Sequence, residues 1–367
     1  MDPAALRASI PVVERCTYLN TGSTGPSPRP VVAAATDFLE RHRFETPCAD
    51  NPYTVAWDAK DDARAAVADL LGADAAEIAL TRSTVEGVNL IANAIDWDPG
   101  DVVVRTDLEH SAGRLPWQHL RDREGVEIRV LETAAGRLDP AAVADAVADA
   151  RLLCLSSLSW NYGTRLPIAD VVEIAHEAGT RVLVDAVQSV GQHPVDVREW
   201  GADYVAASGH KWLLGPWGAG MLYVDGDAID HLDPSRVGYA SVVESGADPF
   251  EFEPGAKRFE LGSTAVAPYV GLERAVELIQ DVGLGTIESR IHQLASRLAD
   301  GLGERRLGPA DPDSGLVPFT AADPEATVER LAGENVRIRS IPDPAACRAS
   351  VHAFNTEEEV DALLAAL

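Results

Sequence analysis

Residues 206–215 read AASGHKWLLG, and Lys211 in that stretch is one of only three lysines, with Lys60 and Lys257, among 31 Lys+Arg residues. A lysine behind Ser-Gly-His at the end of an apolar run, followed by Trp212 and a Gly-Pro turn, is poorly explained as a solvated charge. In a partly desolvated pocket the ammonium form is disfavoured, and the neutral amine can attack a carbonyl. Arginine cannot do this chemistry, which accounts for a lysine in a chain that nearly avoids the residue. Asp185 ends another apolar run, RVLVDAV. A carboxylate buried there needs a cation or strong donors, an ordinary internal salt bridge being the plain alternative. Gln188 follows three residues later, as a ligand contact or a turn residue. Thr81-Arg82-Ser83-Thr84 opens a helix-like stretch whose free N–H groups and positive dipole end suit a phosphate, unless Ser83 or Thr84 only caps the helix. His110, in Glu109-His110-Ser111, is either a flat surface for a planar ligand or a structural histidine. With Ser208 and His210 these groups fit one ligand, pyridoxal phosphate. It needs an amine for its aldehyde, a carboxylate for its pyridinium nitrogen, a phosphate cradle and a surface for its ring.

Each of these residues sits just after a strand-like segment. EIALT (77–81), DVVVRT (101–106), VEIRVLE (126–132), RLLCLSSLS (151–159), RVLVDAV (181–187), ADYVAAS (202–208) and GAGMLYV (218–224) alternate with amphipathic helix-like stretches. Short apolar strands separated by helices predict a mostly parallel sheet covered on both faces, with ligands at the carboxyl ends of its strands. After about residue 271 the pattern changes to long helix-like segments, then short strands at LVPFT, VRIRSI and CRASVHAF, and a closing TEEEVDALLAAL. The expected organisation is a large α/β domain over 20–270 and a smaller α+β domain formed by 271–367, with 1–19 packed on it.

With 367 residues, 46% of them hydrophobic, the chain is long enough for two domains with a substantial core. It has no apolar run long enough to span a bilayer, and its N-terminus lacks the order of a signal peptide, so a cytoplasmic protein is expected. Four dispersed cysteines, Cys16, Cys48, Cys154 and Cys347, form no CxxC pair, and neither a metal site nor a disulfide framework is expected. The net charge of −27 repels phosphate at long range and argues against nucleic-acid or anionic-membrane partners. Together with the scarcity of lysine it predicts a salt-adapted, halophilic protein, an acidic mesophilic enzyme being the alternative.

The stretches YLNTGSTGP, TRSTVEGVNL, EHSAGRLPW, VDAVQSVGQHPVDV, SGHKWLLGPWGAGMLYV, KRFELGST and RASVHAFNTEEEVDALL together resemble the class V aminotransferase and cysteine desulfurase family. These are pyridoxal-phosphate enzymes of fold type I. The resemblance runs along nearly the whole chain and implies a large domain with a mostly parallel, seven-stranded-type sheet between helices, plus a smaller α+β domain. It implies Lys211 as the residue that binds the cofactor and carries the proton at the substrate's α-carbon. It also implies Asp185 on the pyridine nitrogen, Gln188 near the phenolic oxygen and His110 stacked on the ring. Thr84, Ser208 and His210 would hold the phosphate, with Ser83 contributing its backbone. Ser263 aligns with a residue that reaches the phosphate from the partner subunit, which implies a homodimer with shared active sites.

Two departures from the family matter. Desulfurases place an asparagine three residues before a glycine after the strand matching 151–159, whereas Trp160-Asn161-Tyr162-Gly163 places Asn161 two before, as a weaker candidate contact. Desulfurases also carry a catalytic cysteine on a loop that here is the short, histidine-free IRSIPDPAACRAS. Cys347 directly precedes Arg348 in a strand and is therefore expected on the opposite face, in the small domain's core. The chain is more similar to the L-cysteine/cystine carbon–sulfur lyase branch, whose members lack the nucleophile and use two arginines, matched by Arg339 and Arg348. A bidentate guanidinium suits an amino-acid carboxylate, and a second one suits a diacid such as cystine; surface charges are the plain alternative. The expected activity is β-elimination at a small L-amino acid of the cysteine type. The alternatives are an aminotransferase, a cysteine desulfurase or an epimerase on the same cofactor, and, in a different class, a non-catalytic cofactor-binding protein.

Overall fold

The structure is a computed structural model describing residues 1–367. After a short strand β1 (Thr17–Tyr18), the chain builds a seven-stranded sheet from β2 (Ile78–Thr81), β3 (Val102–Thr106), β4 (Glu127–Leu131), β5 (Leu152–Ser156), β6 (Arg181–Asp185), β7 (Tyr204–Ser208) and β8 (Gly220–Val224), in the order β2-β8-β7-β6-β5-β3-β4. Strands β3 to β7 are mutually parallel. β8 runs antiparallel to both β7 and β2, and two reversals restore β2 to the direction of β7. The strand ends at Thr81, Thr106, Ser156, Asp185 and Ser208 therefore all lie along one edge.

Every residue of β5, β7 and β8 is buried, which is why these segments read as continuous apolar runs. Successive side chains nonetheless go to opposite faces. Leu152, Cys154 and Leu183 join one apolar cluster with Val88, Ile91 and Trp117, whereas Leu153, Leu155, Val182 and Val184 join a larger one. The edge strand β4 instead presents Glu127 and Val130 to solvent, and its charge blunts an otherwise open edge.

Past the helices Ala267–Val282 and Leu284–Leu302 come β9 (Leu316–Phe319), β10 (Val336–Arg337), β11 (Arg339–Pro342) and β12 (Ala345–Ser350). The segment read as one strand, VRIRSI, is two. Val336 and Arg337 pair in parallel with Thr17 and Tyr18, while β11 pairs antiparallel with β12, which also pairs with β9. The first residues are fastened to the C-terminal part by that pairing and by Arg7, whose guanidinium donates to the Glu359 carboxylate at 3.0 and 3.1 Å. No helix is long and apolar enough to cross a membrane.

Candidate active site

Polar groups gather where β2 and β7 end. Ser83 caps the helix Thr84–Ala92 by accepting from Glu86 N–H at 3.3 Å. The Thr84 N–H donates to Ser208 Oγ at 2.6 Å, and the two hydroxyls lie 2.7 Å apart. Hydroxyls and a helix N-terminus thus converge, as an anion requires. Gly220 lies between them in the ladder, opposite both Thr81 and Ser208. A Cβ there would come 3.0 Å from Ser83 and 2.8 Å from the Ala207 carbonyl. His210 leans on Trp217, with ring centroids 4.4 Å apart, and its carbonyl accepts from Gly25 N–H at 2.7 Å. Desolvation and then Lys211 lower its pKa to about 4, so it is neutral at pH 7.

Asp185 is 3% exposed, and its carboxylate accepts one hydrogen bond, from Val187 N–H at 3.0 Å. It forms no ion pair. Burial is the largest influence and raises its pKa, opposed by Val187 and by the charge of Lys211. Lys211 is half-buried. Desolvation lowers its pKa to about 8; Asp185 opposes this, and Arg348 and Arg339 add to it. Lys211 and Asp185 thus each bear on the other's charge, although no hydrogen bond or ion pair joins them. His110 sits edge-on against Trp160, with centroids 5.3 Å apart and planes at 90°. Desolvation, followed by Lys211 and Arg339, brings its pKa to about 4.

Arg339 and Arg348 face each other directly across β11 and β12. Arg348 is fully buried, donates to the Trp160 carbonyl at 2.7 Å, and leaves its Nε without a partner. Arg339 lies over the Trp160 ring at 5.9 Å. Ser23 Oγ accepts from both guanidinium groups, at 3.2 and 3.4 Å. Neither arginine has a carboxylate partner. Burial and the neighbouring Arg339 disfavour the charge of Arg348, yet a guanidinium keeps its proton. Two like charges held opposite one another, one fully desolvated, are stabilised when an anion enters between them.

Other candidates are placed differently. Gln188 donates from its amide to the Gly22 carbonyl at 3.1 Å and accepts from Trp212 Nε1–H at 2.8 Å. Asn161 donates to the Asp343 carbonyl at 3.0 Å and accepts from Ser159 Oγ at 2.7 Å. Both amides tie loops together. Ser263, exposed and at φ 26°, bonds only Tyr239. Cys347 is fully buried and donates to the Pro324 carbonyl at 3.6 Å, on the face away from Arg348, and burial pushes its thiol up to about 11. Sequence reasoning missed Ser23 and Trp160. Gly22 marks the first, since a Cβ there would lie 3.0 Å from Arg348 Nη2 and 2.4 Å from Leu316.

A buried carboxylate without a cation, a half-buried lysine, a two-hydroxyl helix terminus and a buried cation without an anion together suit a planar phosphorylated aldehyde and an amino-acid carboxylate. The sequence model described as Aminotransferase class-V matches residues 17–363. A probable cysteine desulfurase of Methanothermobacter thermautotrophicus is 32% identical, over 98% of this chain and 95% of its own. The apo structure of cysteine desulfurase from Thermococcus onnurineus NA1 superposes with a TM-score of 0.92 at 29% identity, covering 100% of this chain and 97% of that one. A complex of the cystine C–S lyase C-DES with its reaction product cysteine persulfide gives 0.92 at 31% identity, covering 97% and 98%.

Proposed function

The chain belongs to the class-V aminotransferase family, and from that premise we propose that it is a pyridoxal-phosphate enzyme cleaving the carbon–sulfur bond of a cysteine- or cystine-type L-amino acid by β-elimination. When bound, the cofactor supplies an aldehyde for amines and a ring that withdraws electrons from the substrate's α-carbon. Lys211 supplies the amine for that aldehyde and then the base that takes the α-proton. Asp185 keeps a proton on the ring nitrogen, which its own buried charge requires. Thr84, Ser208, His210 and the N–H groups after Ser83 hold the phosphate, and neutral His110 lies against the ring. Gln188, with one amide hydrogen still free, lies near the phenolic oxygen, Asn161 is a weaker contact, and both also hold the loops that border the site. Arg348 binds the α-carboxylate and Arg339 the distal carboxylate of a diacid. The Cβ–S bond breaks with its electron pair leaving on sulfur; cystine and water thus yield pyruvate, ammonia and cysteine persulfide.

The observation that carries this reading is the pair of unneutralised arginines in a site to which Cys347 contributes no thiol. Relatives named as desulfurases favour a second reading, in which a protein thiolate attacks the substrate sulfur and alanine is formed. Product analysis separates the two. We expect pyruvate and ammonia, and we expect Cys347→Ala to keep most of its activity while losing roughly 1 kcal/mol of stability to the cavity it leaves. Stoichiometric alanine from cysteine, with activity abolished by alanine at any one of the four cysteines, would restore desulfuration.

The same reading includes a homodimer with shared sites in the cytoplasm of a salt-adapted cell, and domains 20–270 and 1–19 with 271–367. The dimer is supported by Ser263 on the wall of a cavity of about 620 Å³ that also carries Trp57 and Tyr239, both more than 40% exposed and suited to burial by a partner.

A further inference from the structure

Glu109 has no role in the chemistry above, yet it is 3% exposed and forms no ion pair. Its Oε1 accepts from Thr106 Oγ at 2.6 Å and from Ser156 N–H at 2.9 Å, and its Oε2 accepts from Ser156 Oγ at 2.7 Å. Burial, outweighing these donors and joined by Asp185, raises its pKa to about 7. A buried carboxyl held by neutral groups alone is expensive and calls for a reason. Its surroundings supply one. Ser156 ends β5 and is the register partner of Asp185. Glu109 immediately precedes His110, whose turn closes with Gly113 N–H donating back to the His110 carbonyl at 2.9 Å. Gly113 leaves room for the carboxyl, since a Cβ there would lie 2.9 Å from Glu109 Oε2.

We propose that Glu109 is a positioning residue, whose bonds to Ser156 tie the turn that carries His110 to the strand beside Asp185 and so set where the His110 ring lies in the slot that receives the cofactor ring. The inference rests on the pyridoxal-phosphate reading. Its action passes through His110, so the two residues are energetically coupled, and shape rather than charge is what it contributes. Glutamine preserves that shape. Its carbonyl accepts from Thr106 and Ser156 N–H, and its amide donates to a Ser156 hydroxyl that has turned to accept.

The test is a double-mutant cycle on the affinity of the cofactor-free chain for pyridoxal phosphate, followed by tryptophan fluorescence. Glu109→Ala is expected to weaken binding about tenfold in the wild-type background and less than about twofold in His110→Ala, while Glu109→Gln stays within about twofold of wild type. Should Glu109→Ala fail to fold, Ser156→Ala is expected to show the same dependence on His110 at a smaller amplitude. Equal losses in both backgrounds, or a Glu109→Gln as weak as Glu109→Ala, would overturn the proposal while leaving the cofactor assignment intact. A wild-type chain that does not bind pyridoxal phosphate would overturn the functional reading, and this proposal with it.

Discussion

An ordinary lysine, with a pKa near 10.4, offers almost no free amine at neutral pH. Lys211 differs because losing water costs its ammonium form more than Asp185 returns, which leaves its pKa at about 8. The sign follows directly: a lowered lysine pKa places the reactive neutral form within reach between pH 7 and 8. The rate at which the cofactor-free chain captures pyridoxal phosphate should therefore rise with pH through a midpoint near 8. Borohydride should then fix the cofactor on Lys211, and Lys211→Ala should show neither. A rate still climbing through pH 10, or label recovered on Lys60 or Lys257, would mean that the poised amine lies elsewhere.

Among the elements, β8 is informative because it carries none of the proposed chemistry and still spaces the groups proposed to hold the phosphate. Its Gly220 pairs with Thr81 on one side and Ser208 on the other, the two strand ends that supply the cradle. Adding a methyl group brings backbone atoms of Ala207 and Ser83 within 3.0 Å, so a strand or the helix start must move. Gly220→Ala should cost about 1–3 kcal/mol of stability by overpacking and also weaken pyridoxal phosphate more than pyridoxal, because the displaced groups are the ones proposed to hold the phosphate. Equal weakening of both ligands would place the phosphate somewhere else. The same logic applies to β11 and β12: their antiparallel register, rather than any sequence proximity, sets Arg339 opposite Arg348.

For the whole molecule, 58 acidic residues against 31 basic ones leave a net charge of −27, and part of it is exposed, as at Glu358 and Asp361 on the closing helix. Self-repulsion at this level is relieved when the screening length falls from about 10 Å at 0.1 M salt to about 3 Å at 1 M. The melting temperature should rise by several degrees over that range, with sodium chloride and potassium chloride acting alike. A melting temperature that is flat or falling would show that the surface ion pairs, such as Arg297 with Asp361 at 2.7 Å, contribute more than the repulsion they interrupt.

Lys211, Asp185 and the helix start at Ser83 were legible in the sequence because each is a polar residue at the end of an apolar run, a pattern confined to a few neighbours. The side to which Cys347 points was legible for the same reason, since alternation along a strand is local. The split of VRIRSI was not, because Thr17 and Tyr18 claim one half and β12 the other. Nor was the use of the Gln188 and Asn161 amides on carbonyls 166 and 182 residues away. The joint hold of Ser23 on Arg339 and Arg348, across 316 and 325 residues, and the seat of Glu109 against Ser156, 47 residues on, belong with them. The sequence by itself determined which groups were available for chemistry, because burial and strand ends are written in short-range pattern. Only the tertiary structure decided which polar groups are satisfied by the protein and which are left for a ligand, because hydrogen bonds are made across space between residues whose separation along the chain carries no signal.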